Sequence, residues 1–159
     1  MNNEVEELMV SLYEGNNKWY KLPIEFKNNA NAKNTNSANN KEMYYTTDEN
    51  KKLADYVVSD EIHLIIVGRY EWEYYYDEDS YDLRDGYFIS FATPNISNSR
   101  LDPENVYTVD DKDIEPIKIG IGREIKYLSI QVLFDKAKRN ALDITSFINN
   151  FLKKSDKNN

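Results

Sequence analysis

The chain has 159 residues, 40% of them hydrophobic and 13% aromatic, and a formal net charge of -8 from 28 acids against 20 Lys and Arg. That length suits one domain over 1–159, and charge of this sign opposes attraction to phosphate backbones or anionic lipid, so neither nucleic acid nor membrane is an expected direct partner. The absence of Cys excludes disulfides, thiolate nucleophiles and Cys-ligated metals.

Val5, Leu8, Met9 and Leu12 have helical spacing behind Glu4, Glu6 and Glu7, although Leu8, Val10 and Leu12 also alternate as a strand would; a helix is favoured. Tyr20, Leu22, Ile24 and Phe26 alternate as a strand, with Pro23 suggesting an edge. Residues 28–40 hold seven Asn and no large apolar side chain, which predicts a flexible loop without a function of its own. Thr46 and Glu49 fit a capping box, and Leu53, Tyr56 and Val57 follow with helical spacing, predicting a short helix over 47–59.

From Glu61 to Tyr76, β-branched and aromatic residues dominate, and Ile62, Leu64, Ile66, Tyr70, Trp72, Tyr74 and Tyr76 keep one parity. This predicts a long strand bending at Gly68, a loop over 77–86 and a return strand over 87–91 stopped by Pro94. Residues 95–113 are rich in turn formers and acids, with a short strand over 106–109. Ile117, Ile119 and Ile121, then Leu128, Ile130, Val132 and Phe134, alternate on either side of Gly122 and predict a second hairpin. Asp143 suits an N-cap for a core helix whose Ile144, Phe147, Ile148, Phe151 and Leu152 follow i, i+3, i+4, i+7, i+8, with a frayed tail over 155–159. The sum is an α+β fold: a mainly antiparallel β-sheet of long hairpins with two or three helices on one face.

Residue sets for catalysis are nearly absent. His63, the sole histidine, lies between Ile62 and Leu64 without a recognisable nucleophile partner and reads as structural. Asp77, Asp79, Asp82 and Asp85 resemble a calcium loop only in part, because Asp82 and Phe88 stand where an EF-hand needs Gly and Glu. Gly120-Ile121-Gly122 precedes a strand pattern rather than a helix, so a turn explains it better than a phosphate site. No catalytic residue, cofactor or metal is expected, and an enzyme is not the reading.

The 70–91 hairpin differs in kind. Its alternation sends Tyr70, Trp72, Tyr74 and Tyr76 to one face, with the first two in the core, and leaves the other face and the loop to solvent. Glu71, Glu73, Tyr75, Asp77, Glu78, Asp79, Tyr81, Asp82 and Asp85 are therefore the expected protein-binding residues: aromatic side chains dominate interface energetics, and carboxylates steer a basic partner. A second acidic stretch runs from Asp102 to Glu115, whereas the C-terminal region is locally basic.

In composition alone, the chain is similar to the small, acidic, motif-poor toxin-immunity and phage anti-defence proteins; no motif ties it to a family. Its Asn, Lys, Ile and Tyr usage suggests AT-rich codons and a bacterial or phage source. The expected function is inhibition of a basic partner such as a toxin, nuclease or defence effector, at a site that normally holds nucleic acid. The alternative is a structural or assembly accessory protein dimerising through a sheet edge; either a monomer or a homodimer is compatible. The N-terminus, MNNEVEEL, has no signal-peptide pattern, and the expected location is cytoplasmic.

Overall fold

The computed structural model describes residues 2–22, 39–57, 59–97, 100–120 and 122–157. Helix α1 (Asn2–Glu14) precedes a five-stranded antiparallel sheet: β1 (Tyr20–Lys21), β2 (Asn39–Thr47), β3 (Leu64–Tyr75), β4 (Tyr81–Ser97) and β5 (Arg100–Asp110), each strand paired with the next. A ribbon of β6 (Ile117–Ile119) and β7 (Lys126–Leu128) leads into helices α2 (Ile130–Ala141) and α3 (Ile144–Lys157). The chain thus has the expected α+β architecture.

Both sheet faces are apolar, because alternate residues of the central strands point opposite ways and neither set is polar. Tyr44, Val67, Ile89 and Val109 lie side by side in register, and α1 and α2 cover them with Met9, Leu12, Leu133, Phe134 and Ala137. On the other face Met43, Tyr45, Leu64, Ile66, Tyr70, Phe88 and Ala92 are covered by Leu53, Tyr56 and Ile62. Lys136 of α2 donates to the carbonyls of Leu12, Tyr13 and Gly15, placing a cation on the negative end of α1.

The expected helix over 47–59 does not form. Thr46 and Thr47 are the buried end of β2, Asn50 reverses the chain at φ 57°, and only Leu53–Asp55 make a 3-10 turn. Tertiary bonding outweighs the capping pattern: the Thr47 hydroxyl bridges Lys51 and accepts from Tyr56 at 2.8 Å, and the Leu53 N–H donates to the Tyr45 hydroxyl. Strand β2 had no counterpart among the predicted elements. Of the Asn-rich 28–40, Asn39 and Asn40 open β2 and the rest lie outside the described residues, as do Ile24 and Phe26 of the expected strand.

Gly68 gives room for a ring. A Cβ there would sit 2.3 Å from the Phe88 ring, and one on Gly86 would sit 2.2 Å from the Tyr70 ring, so each aromatic lies across a glycine of the neighbouring strand. The loop expected over 77–86 shrinks to 76–80, since Tyr81 to Gly86 already pair with β3. Pro94 does not stop β4; the register shifts between Thr93 and Pro94 and pairing resumes, and the short strand expected over 106–109 is part of the longer β5, Arg100–Asp110.

The strand expected over 128–134 is a misreading. Only Lys126–Leu128 pair with β6; Ser129 then accepts from the Val132 N–H, and Ile130, Leu133, Phe134 and Ala137 form the buried stripe of α2. Helix α3 forms as predicted but is not core, for Phe147, Ile148, Phe151 and Leu152 remain 67%, 45%, 64% and 55% exposed. It continues to Lys157, within the tail expected over 155–159, of which 158 and 159 lie outside the described residues.

Candidate protein-binding arm

Pairing of β2 with β3 ends at Glu71, and pairing of β4 with β5 begins at Phe88. Among the described residues, 72–85 therefore leave the sheet as a two-stranded arm, in register Trp72 to Arg84, Glu73 to Leu83, Tyr74 to Asp82 and Tyr75 to Tyr81. At its tip the Asp77 carboxylate accepts from the N–H groups of Asp79 and Ser80, at 2.9 and 3.0 Å, and fixes the turn.

One face of the arm is an aromatic ladder. Trp72 meets Tyr74 edge-on at 5.7 Å, and Tyr74 meets Tyr76 at 5.6 Å. The guanidinium of Arg84 lies 3.7 Å from the Tyr74 ring centre and the Lys112 ammonium 4.4 Å from that of Trp72. Both cations are thus held against rings. Trp72 is half-buried, while Tyr74 and Tyr76 are exposed.

The other face carries Glu73, Tyr75, Tyr81 and Leu83. Tyr75 and Tyr81 pack at 5.3 Å, the Tyr75 hydroxyl donates to Glu73, which holds that phenol above its usual pKa, and Leu83 is 65% exposed. No protein family, curated protein or solved structure matches the chain.

The nine expected binding residues separate into two groups. Glu71 and Asp85 lie at the root, where Arg69 reaches both at 3.1 and 3.2 Å, and they belong to a network that Glu42 and Lys138 extend over the helix face. Glu73, Tyr75, Asp77, Glu78, Asp79, Tyr81 and Asp82 lie beyond the root. Among the described residues Glu78, Asp79 and Asp82 have neither an ion pair nor a hydrogen bond to their carboxylates. Sequence reading missed Tyr74, Tyr76 and Leu83, whose exposure follows from the arm's leaving the sheet. The signal for them was the lack of any apolar partner pattern opposite residues 72–76.

Behind the arm, the Tyr70 hydroxyl donates to the buried Asp110 carboxylate at 2.6 Å. Burial, followed by hydrogen bonding to Asp110 and that group's charge, pushes the neighbouring Asp111 carboxyl up to about 7. Asp111 also accepts from the Tyr87 N–H. These acids brace the root and are not presented to a partner.

His63 lies just before β3, exposed, with Nδ1 3.0 Å from Asp48. It stands at the rim of a groove of about 790 Å³ lined by Leu8, Leu12, Thr46, Ile65, Phe91 and Tyr107. The sequence placed it inside the strand. Among the described residues no three His, Asp or Glu converge as a metal site, and no helix is long and apolar enough to cross a membrane.

Proposed function

We propose that the protein is a binding antagonist that inserts its 72–85 arm into a basic site of another protein, of the kind that otherwise holds nucleic acid. The observation that carries this reading is the arm itself: two strands beyond the sheet, with Tyr75, Tyr76, Tyr81 and Leu83 exposed beside uncompensated Glu78, Asp79 and Asp82. Apolar and aromatic groups supply contact area, carboxylates raise the association rate with a basic surface, and the two-stranded form presents both at little ordering cost. Arg84 and Lys112 leave the arm net negative, because Glu73, Asp77, Glu78, Asp79 and Asp82 all stand beyond its root. Toxins, nucleases and defence effectors have basic grooves of this type, and a protein that fills one needs no catalytic group.

The test is a charge reversal that spares the turn. Glu73, Glu78, Asp79 and Asp82 changed to Lys, with Asp77 kept because it builds the turn, should leave the melting temperature nearly unchanged, exposed carboxylates contributing little to stability. A basic partner isolated with the wild-type chain should bind the variant at least tenfold more weakly, should bind the wild type less tightly as salt rises, and should lose nucleic acid when the wild type binds. Undiminished binding by the variant, or an acidic partner, overturns the reading.

A further inference from the structure

Helix α3 carries five apolar side chains, Ile144, Phe147, Ile148, Phe151 and Leu152, along one stripe, and nothing in the described chain covers four of them. The helix is amphipathic, with Thr145, Ser146, Asn149 and Asn150 exposed on its remaining surface. A helix of 14 residues with this pattern is marginal in water by itself and is ordinarily stabilised by packing its apolar face.

We infer that α3 pairs with α3 of a second copy, antiparallel about a two-fold axis near Ile148. Charge selects this occupant. Asp143 and Lys154 are eleven residues apart, about three helical turns, so they flank the same edge of the stripe at its opposite ends. In an antiparallel pair like flanks meet, and Lys154 of each copy reaches Asp143 of the other, with the helix dipoles opposed; a parallel pair would turn that flank toward the partner's other edge, where Thr145 and Asn149 lie, and would align the dipoles. The exposed parts of the stripe offer on the order of 500 Å² per copy, so a two-fold pair covers roughly 1,000 Å², where specific interfaces begin. A lipid surface fits less well, because the helix has cations only at its C-terminal end, Lys153, Lys154 and Lys157, and the chain carries a net charge of -8. The pairing does not depend on the arm and would give an assembly with two arms.

Sedimentation equilibrium of the full chain from 1 to 100 µM should give twice the 18.7 kDa chain mass. The double variant Phe147→Glu/Phe151→Glu should be a folded monomer whose melting temperature no longer rises with protein concentration as that of the wild type does. Because the chain has no cysteine, a single thiol supplies an independent arm that survives misfolding of the double variant. Ile148→Cys, near the axis, should oxidise to a disulfide-linked dimer at least tenfold faster than Ser146→Cys on the opposite side of the helix. Charge reversal on the arm should leave the dimer intact, and the α3 double variant should leave arm binding intact, so the two readings fail separately. A wild-type monomer at 100 µM, a double variant that still dimerises, equal cross-linking of the two thiols, or binding to phosphatidylcholine vesicles that the double variant abolishes would each overturn the inference.

Discussion

Asp111 shows how one side chain can couple the arm's root to pH. Its folded-state pKa, about 7, lies above the ordinary carboxyl value of 3.8, chiefly through burial and then through the adjacent Asp110. The folded state therefore holds more protons than the unfolded chain between those values, and stability falls as pH rises through that window. Asp111→Asn keeps the acceptor for the Tyr87 N–H and supplies a donor toward Asp110 without titrating. Thermal melts between pH 4 and 8 should show the wild type losing stability toward pH 8 relative to the variant, with the difference closing toward pH 4. Parallel pH profiles would refute the assignment. The partner of Asp110 is as specific: Tyr70→Phe leaves a buried carboxylate short of a donor and should cost about 1–3 kcal/mol in urea unfolding, although it removes a single oxygen.

At the scale of elements, periodicity located the long β3 and α3, because each holds one period over at least three turns or six strand positions. It failed where two periods overlap. Leu128, Ile130, Val132 and Phe134 alternate, yet Ile130, Leu133, Phe134 and Ala137 also repeat every three to four residues, and Ser129 as an N-cap decides for the helix. The two readings differ at adjacent residues. Leu133→Ala should cost about 2–5 kcal/mol because that side chain is fully buried, and Val132→Ala about 1 kcal/mol or less; the reverse order would restore the strand. For the hairpin that carries the nine expected binding residues, the sequence showed the two strands but not their division at Glu71 and Phe88, because where β2 and β5 stop pairing is a long-range fact. The same limit applies to α3: its stripe was legible, but whether this chain or another covers it is not encoded in spacing.

For the molecule as a whole, the sheet with two apolar faces sets the main constraint. Two helices cover one face, while the other depends on a segment whose only helical piece among the described residues is Leu53–Asp55, so the two clusters differ in build but share strands β2, β3 and β4. Loss of either cover exposes β2, β3 and β4, which the other needs, and this couples both sides into one transition. The two tryptophans report the sides separately: Trp19 is buried in the helix-side cluster, its backbone N–H donating to the Asn140 side chain, and Trp72 packs against the opposite cluster. Trp72→Phe leaves Trp19 as sole reporter, and Trp19→Phe leaves Trp72. Urea unfolding followed by fluorescence and by far-ultraviolet circular dichroism should coincide within each variant. Tyr56→Ala, made on the Trp72 side, should lower the midpoint seen by Trp19 as much as that seen by Trp72, by an amount equivalent to about 3 kcal/mol. If Tyr56→Ala moved only the Trp72 signal, the loop-covered face would open independently, and the sheet would not join the two clusters into one cooperative unit.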